Sequence, residues 1–256
     1  MTDDGPLTAG QRIGLSSELE TAKFLLRDGL RAVQELDASS PVYRPAMFLL
    51  AQGLERLMKV AWCLVELEGS GELPTSRDLK ARFGHDLVKL CLAIAEIANT
   101  PAYRDHSPAQ STDAEFLAAD AFLAQLVTTI SHFGDGARYC DLDRLLDPDW
   151  TSTADPDGEV DALEVLVEQR HPEVRAVNAP NLALYYAFLN TARTEQTKVE
   201  IVITVQRLMR AVARFFVWGP CGEPGREVSA QIMPLVQRKD DELAELPGPW
   251  RPSPHP

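Results

Sequence analysis

The sequence has no long uninterrupted run of apolar residues. Its most apolar stretch, residues 46–65, contains Glu55, Arg56 and Lys59, and such charges are costly to bury in a lipid bilayer. The N-terminus also lacks the basic start and the apolar core of a secretory signal. We therefore expect no membrane partner and a cytoplasmic location.

Cysteine is scarce, and the motifs of common cofactor sites are missing. The four cysteines form no C-x-x-C pair and have no histidine at metal-ligand spacing, so we expect free, buried thiols and no metal site. The sequence also contains no G-x-G-x-x-G, no phosphate-binding P-loop, no H-E-x-x-H and no G-x-S-x-G. The sequence thus predicts no cofactor. The cysteines are Cys63, Cys91, Cys140 and Cys221.

Basic residues are few relative to acidic ones, which gives the 256 residues a formal net charge of −13. Such a charge opposes general attraction to nucleic acid or to an anionic membrane. The imbalance is concentrated, because residues 148–179 carry 2 basic and 8 acidic side chains, whereas residues 180–256 carry 9 and 8. The net charge therefore argues against RNA binding but does not exclude it, because the C-terminal part of the chain is not acidic.

Hydrophobic periodicity predicts helices throughout and no convincing strand, so the predicted fold class is all-α. A capping-box pattern at Ser17 and Glu20 predicts a first helix over residues 17–36. The second, residues 43–68, is apolar nearly all round, which is typical of a central helix. The remaining predicted helical segments are residues 84–99, 113–133, 159–169, 182–218 and 227–246.

These segments predict a helical bundle followed by an acidic insert and a long-helix extension. We expect a flexible tail over residues 1–16, a bundle over 17–147 and an acidic loop with a short helix over 148–181. The extension, residues 182–246, is expected to pack on the bundle through a heptad-like seam. A Pro-rich tail, residues 247–256, ends the chain.

Two motifs resemble those of the HEPN superfamily of helical domains. One is GLERLMK at residues 53–59, and the other is GHDLVKL at residues 84–90. The stretch FGDGARY at residues 133–139, followed by DLD at 141–143, is similar to the aromatic and arginine-containing segment that often follows the fourth HEPN helix. The resemblance covers about residues 17–147.

The resemblance implies a helical bundle that usually dimerises, in a superfamily rich in toxins and in stress and defence factors. Many members are metal-independent ribonucleases that use an R-x(4–6)-H motif. This chain departs from that pattern, since none of its five histidines follows an arginine at the required distance. The departure weakens the inference of ribonuclease activity.

Two pairs of candidate residues lie in the HEPN-like motifs. Glu55 and Lys59, one helical turn apart, can form an ion pair that orders the core, or they can belong to a polar site. His85 and Asp86 can cap the start of a helix, or His85 can act as an acid or base beside the positive helix end. A shared site requires that Glu55, His85 and Arg138 converge.

Further candidates are basic and aromatic residues later in the chain. Arg138 and Tyr139 follow a glycine-flanked turn. The Arg138 guanidinium can bind a phosphate there, or it can fix the loop by an ion pair with a nearby aspartate. Arg207, Arg210 and Arg214 form a basic stripe at i, i+3 and i+7, and Arg193 and Glu200 extend the same face at seven-residue steps. That stripe suits a salt-bridged face, an RNA backbone, or an acidic partner such as residues 149–173 of the same chain. The aromatic residues Tyr185, Tyr186 and Phe188 are expected in the core.

Two functions follow from these observations. The first is a non-catalytic HEPN-like interaction or dimerisation protein in stress or defence, with a second copy or another protein as its partner. The alternative is an enzyme that cleaves RNA or modifies a nucleotide, with His85 as general acid or base and Arg138 stabilising phosphate charge. The missing R-x(4–6)-H motif and the net negative charge favour the first.

Overall fold

The computed structural model describes residues 6–39, 41–135, 146, 156–177 and 179–243. Within these residues every regular element is a helix, which confirms the all-α class. The eleven α-helices are α1 (Ala9–Gln34), α2 (Arg44–Ser70), α3 (Ser76–Arg82), α4 (Leu87–Ala98), α5 (Pro101–Arg104), α6 (Pro108–Ala119), α7 (Ala121–Asp135), α8 (Pro156–Arg170), α9 (Leu182–Trp218), α10 (Gly222–Val228) and α11 (Met233–Val236). Three short 3₁₀ turns cover Pro172–Arg175, Ser229–Gln231 and Asp240–Glu242.

Helix α2 lies at the centre of the molecule, as its apolar surface predicts. It contacts α1, α4, α7, α9 and α10. Proline in its first turn is tolerated because a first-turn N–H has no helical partner, and Gly71 ends it at a left-handed φ of 82°. The buried side chains of α2 join those of the surrounding helices in one continuous hydrophobic core.

Helix α1 packs closely along α2. Two glycines allow this approach: a Cβ added at Gly53 would lie 2.6 Å from Cγ of Leu26, and one added at Gly29 would lie 2.8 Å from Cδ2 of Leu50. The helix begins at Ala9, earlier than the predicted Ser17. Thr8 and Gln11 form the capping box, with the Thr8 side chain accepting from the Gln11 amide and the Gln11 side chain accepting from the Thr8 amide.

The helix predicted over residues 113–133 is two helices, α6 and α7, bent by 61° at Asp120. The Asp120 backbone is extended, and its carboxylate accepts a hydrogen bond from the Leu123 amide at 2.8 Å. The same residue thus ends α6 and caps α7. Among the described helices no single one is long and apolar enough to cross a membrane, and α6 with α7 meets that criterion only when the bent pair is taken together.

Helix α9 has the predicted bounds, and its second half lies deep in the core. The five predicted seam residues are all at most 1% exposed. The chain then returns over α9 in short pieces rather than as the single segment predicted over residues 227–246. The predicted Pro-rich tail lies outside the described residues. The seam residues are Ile201, Val205, Leu208, Val212 and Phe215.

The close contact of α1 with α2 predicts that Gly53→Ala destabilises the protein. Alanine favours a helix over glycine by about 1 kcal/mol, but overpacking against Leu26 costs about 1–3 kcal/mol. We expect a net loss on the order of 1 kcal/mol in urea unfolding followed by circular dichroism. The matched control is Gly14→Ala on α1, where no atom lies within 4 Å of the added Cβ, and it should be neutral or stabilising. Equal behaviour of the two variants would contradict the packing argument.

Candidate functional site

A polar cluster joins α2 to the loop between α3 and α4. The Lys59 ammonium donates hydrogen bonds to Glu55 Oε1 and to the Gly84 carbonyl oxygen, each at 2.6 Å. His85 Nδ1 lies 3.0 Å from Glu55 Oε1 and 3.2 Å from Glu55 Oε2. One carboxylate therefore holds both the lysine on its own helix and the imidazole on the facing loop.

The backbone around His85 is fixed on both sides. Gly84 has a φ of 53°, in the left-handed region that glycine enters without strain. Asp86 caps α4 by accepting a hydrogen bond from the Lys89 amide at 3.0 Å, and the Leu87 amide donates to Ser131 Oγ on α7 at 3.1 Å. Burial acts to raise the pKa of Asp86, but the hydrogen bonds from Lys89 outweigh it and leave that pKa below its usual value.

The cluster opens into a cavity of about 360 Å³. The Glu55 side chain is 13% exposed and the His85 side chain is 64% exposed, so the carboxylate forms the floor and the imidazole the rim. Nδ1 of His85 is held by Glu55, while Nε2 makes no hydrogen bond within the described residues. A carboxylate that orients an imidazole in this way suits general acid or base chemistry at the free nitrogen. The other lining residues are Leu15, Glu18, Gln52, Arg56, Val60, Cys63 and Leu79.

The structure brings together only some of the predicted site residues. Glu55, Lys59 and His85 meet, as a polar site requires, whereas Asp86 points into the helix cap beside them. The sequence suggested that a helix end would set the surroundings of His85, but the nearest charged group is the Glu55 carboxylate. The sequence named Glu55 and His85 as residues that a shared site would bring together, but thirty residues separate them, so only the fold determines their distance. Arg138 and Tyr139 lie outside the described residues.

The basic stripe on α9 is engaged within the chain. Arg207 lies over the Phe116 ring at 4.2 Å, and Arg214 pairs with both oxygens of Asp113 at 2.7 Å. Arg210, only 4% exposed, donates to the Arg238 carbonyl oxygen at 2.9 Å and to Asp240. These contacts make the stripe a salt-bridged internal face rather than an open one.

The acidic helix α8 pairs with α9 at Arg193, the residue that extends the basic stripe toward the start of α9. Its Glu164 and Glu168 both contact Arg193. Beyond the end of α8, His171 Nε2 lies 2.9 Å from Glu200 Oε1. The described partners of Arg210 and Arg214 are Asp240 and Asp113, outside residues 149–173. The acidic segment therefore pairs with the stripe where Arg193 extends it, while the described ion pairs of Arg210 and Arg214 are with other parts of the chain.

The first two turns of α9 expose apolar side chains. Tyr186 is 55% exposed and Phe188 46% exposed, which corrects the prediction that they lie in the core. The reason is that α9 extends beyond its neighbours here, and its first buried residue is Leu189. We call this the α9 apolar surface, and its exposed members are Leu182, Leu184, Tyr186 and Phe188.

Comparisons with protein families, with curated proteins and with solved structures found no match for this chain. In the described part of the chain, no group of three or more His, Cys, Asp or Glu side chains is placed to hold a metal ion. Cys63, Cys91 and Cys221 are free and buried, as expected, and burial raises the pKa of Cys63 to about 11. The features of this chain that bear on its function are therefore the cavity beside His85 and the α9 apolar surface.

The polar cluster predicts an unequal effect of two lysine substitutions. Lys59→Met removes the cation beside Glu55 and leaves the Gly84 carbonyl unbonded, so we expect a loss of about 1–3 kcal/mol in the free energy of unfolding. Lys89→Met removes an exposed i,i+3 ion pair with Asp86 and should change the free energy of unfolding by less than about 0.5 kcal/mol. Chemical denaturation of both variants measures the difference. Equal losses would show that Lys59 does not anchor the loop.

Proposed function

We propose that this protein is a non-catalytic, HEPN-like helical interaction protein that self-associates through the α9 apolar surface. The observation that supports this is the exposure of four large apolar side chains within two helical turns. Four such residues so close together in the chain favour an interaction site, whereas single exposed apolar residues are ordinary.

Burial of this surface offers a substantial driving force. An exposed half of one aromatic side chain is on the order of 100 Å², and its burial is worth about 2 kcal/mol. Tyr186 and Phe188 both present such area, and each has an exposed leucine one helical turn before it, Leu182 and Leu184. Because successive exposed residues point to different sides of the helix, a partner can enclose the helix rather than touch one edge.

The charge pattern indicates where a second copy of the chain can approach. Two molecules of net charge −13 repel each other over most of their surface. Residues 176–192 contain no charged side chain, in a chain in which 25% of residues are charged. This neutral segment includes the whole α9 apolar surface, so two copies can approach there with the least repulsion.

The self-association is tested by Phe188→Glu in sedimentation velocity over a range of concentrations. We expect the wild-type chain to dimerise and the variant to dimerise at least about tenfold more weakly, since a charge replaces an aromatic anchor. The matched control is Phe24→Glu on α1, because Phe24 is 45% exposed and Phe188 is 46% exposed. The proposal fails if the wild-type chain is a monomer throughout, or if the control weakens the dimer equally.

A second candidate function is supported by the contact between Glu55 and His85. In it the protein cleaves RNA or modifies a nucleotide, with His85 Nε2 as general acid or base and Arg138 stabilising phosphate charge. Glu55 would position the imidazole, and Lys59 would position Glu55. The missing R-x(4–6)-H motif places this candidate second.

The enzyme candidate predicts that the purified chain degrades single-stranded RNA and that His85→Ala lowers the rate at least about a hundredfold. Glu55→Gln should lower the rate less, because His85 loses the carboxylate that orients it but keeps the ring nitrogen that transfers the proton. The control is His106→Ala, an exposed histidine that does not line the cavity. Wild-type protein without activity, or activity that survives His85→Ala, would remove this candidate.

A further inference from the structure

Helix α3 packs only weakly against the rest of the fold. None of its seven residues is buried, and it makes no extended contact with any other described helix. Among these residues only Leu79 is partly buried, and it lines the cavity beside His85. The described side-chain hydrogen bonds of α3 join Asp78 to Thr75, just before the helix, so none reaches another helix. A segment with so few buried contacts can move at a low cost in free energy.

The helix nevertheless holds its own shape. Thr75 and Asp78 form a capping box, in which the Thr75 hydroxyl accepts from the Asp78 amide at 3.2 Å and the Asp78 carboxylate accepts from the Thr75 amide at 3.1 Å. Hydrogen bonds from Thr75 also hold the pKa of Asp78 below its ordinary value. Because these bonds are local, α3 can move as one piece without losing them.

A glycine in the left-handed region lies on each side of α3. Of the three glycines with positive φ among the described residues, two flank this helix: Gly71, with a φ of 82°, and Gly84, with a φ of 53°. A hinge needs a few residues at the ends of elements that can absorb large changes in φ and ψ, and glycine has the widest range of both. The Gly84 carbonyl is held to α2 by Lys59 at 2.6 Å, so the hinge at Gly84 is a fixed pivot.

One contact fastens the C-terminal end of α3 to α2. The Arg82 guanidinium lies over the Trp62 ring at 4.9 Å and over the Phe83 ring at 5.5 Å. Trp62 and Phe83 are both buried and meet edge to face at 5.0 Å, and we call this pair the aromatic platform. Arg82 itself is exposed, and a cation over an aromatic ring at the surface is only weakly attracted. The contact can therefore break and form again while the aromatic platform stays in place.

We propose that α3 is a hinged lid over the cavity beside His85. In the closed position Leu79 closes one side of the cavity and Arg82 rests on the aromatic platform. Rotation about Gly71 and Gly84 withdraws both side chains and opens that side of the cavity, whose volume is about 360 Å³. The lid goes beyond the proposed self-association, and it depends on neither that association nor catalysis at His85.

Opening of the lid is measured by the reactivity of Cys63, which lines the cavity and is 9% exposed. The matched internal control is Cys91 on α4, which is 8% exposed and does not line the cavity. Burial raises the pKa of both thiols to about 11, so a difference in labelling reports access rather than acidity. The native full chain is treated with iodoacetamide, and the label at each cysteine is followed by peptide mass spectrometry. We expect Cys63 to react at least about tenfold faster than Cys91.

Urea separates motion of the lid from unfolding of the chain. Opening of the lid exposes little surface, so the labelling rate of Cys63 should change less than about twofold in urea below the unfolding transition. Labelling of Cys91 needs a larger opening of the fold and should rise steeply over the same range. A rise for Cys63 as steep as that for Cys91 would overturn the proposal, because Cys63 would then be reached only by unfolding.

Two substitutions on α3 then test the contact with the aromatic platform. Arg82→Ala removes it, and we expect the labelling rate of Cys63 to rise at least about threefold while that of Cys91 is unchanged. The matched control is Arg77→Ala, at an exposed arginine of the same helix that makes no aromatic contact within the described residues, and it should leave both rates unchanged. An unchanged Cys63 rate in Arg82→Ala, or an equal rise in Arg77→Ala, would overturn the proposal. The wild-type comparison in urea decides it even if a variant fails to fold.

Discussion

The enclosure of α2 is the constraint on which the candidate site depends. Five helices contact α2, and at Gly53 the Leu26 side chain of α1 leaves no room for a Cβ. Glu55 and Lys59 of α2, whose side chains are only 13% and 21% exposed, need partners within the molecule. Lys59 therefore bonds both Glu55 and the Gly84 carbonyl, which draws the α3–α4 loop onto α2 and places His85 beside the same carboxylate. The polar cavity is a consequence of how the core is closed.

The uneven charge of the chain has a structural explanation in how α8 docks on α9. Glu164 and Glu168 contact Arg193, and Glu168 also binds Arg175. Val160, Leu163 and Val167 of α8 are buried in the hydrophobic core, where α8 packs against both α7 and α9, so apolar packing sets the position of α8 and the ion pairs orient it. The acidic segment is thus partly neutralised within the molecule, and the basic stripe farther along α9 is neutralised separately by Asp113 and Asp240.

Features that depend on residues close together in the sequence, such as helix ends and pairs one turn apart, could be predicted from the sequence. The bounds of α9 follow from the Asn181 cap and from Gly219, and the pairing of Glu55 with Lys59 follows from i,i+4 spacing. The break at Asp120 could not be predicted, because apolar periodicity continues across it and only tertiary packing decides between one helix and two. For the same reason the contact of His85 with Glu55, and the exposure of Phe188, depend on which surfaces the fold leaves open. HEPN membership stays a prediction from two short motifs.

The two functional candidates rest on features that differ in one respect: the side chains of the polar cluster have partners within the chain, and those of the α9 apolar surface do not bury their apolar area. In the polar cluster, Lys59 and Glu55 have partners that account for their positions, and an exposed imidazole nitrogen is hydrogen-bonded by water at no cost. The α9 apolar surface has no such explanation, because exposed aromatic and aliphatic side chains remain unfavourably hydrated. Part of the apolar surface that this fold leaves hydrated therefore lies at the start of α9. Association at this surface would remove these apolar side chains from water. Catalysis at His85 would instead use an imidazole whose position is already explained by its contact with Glu55.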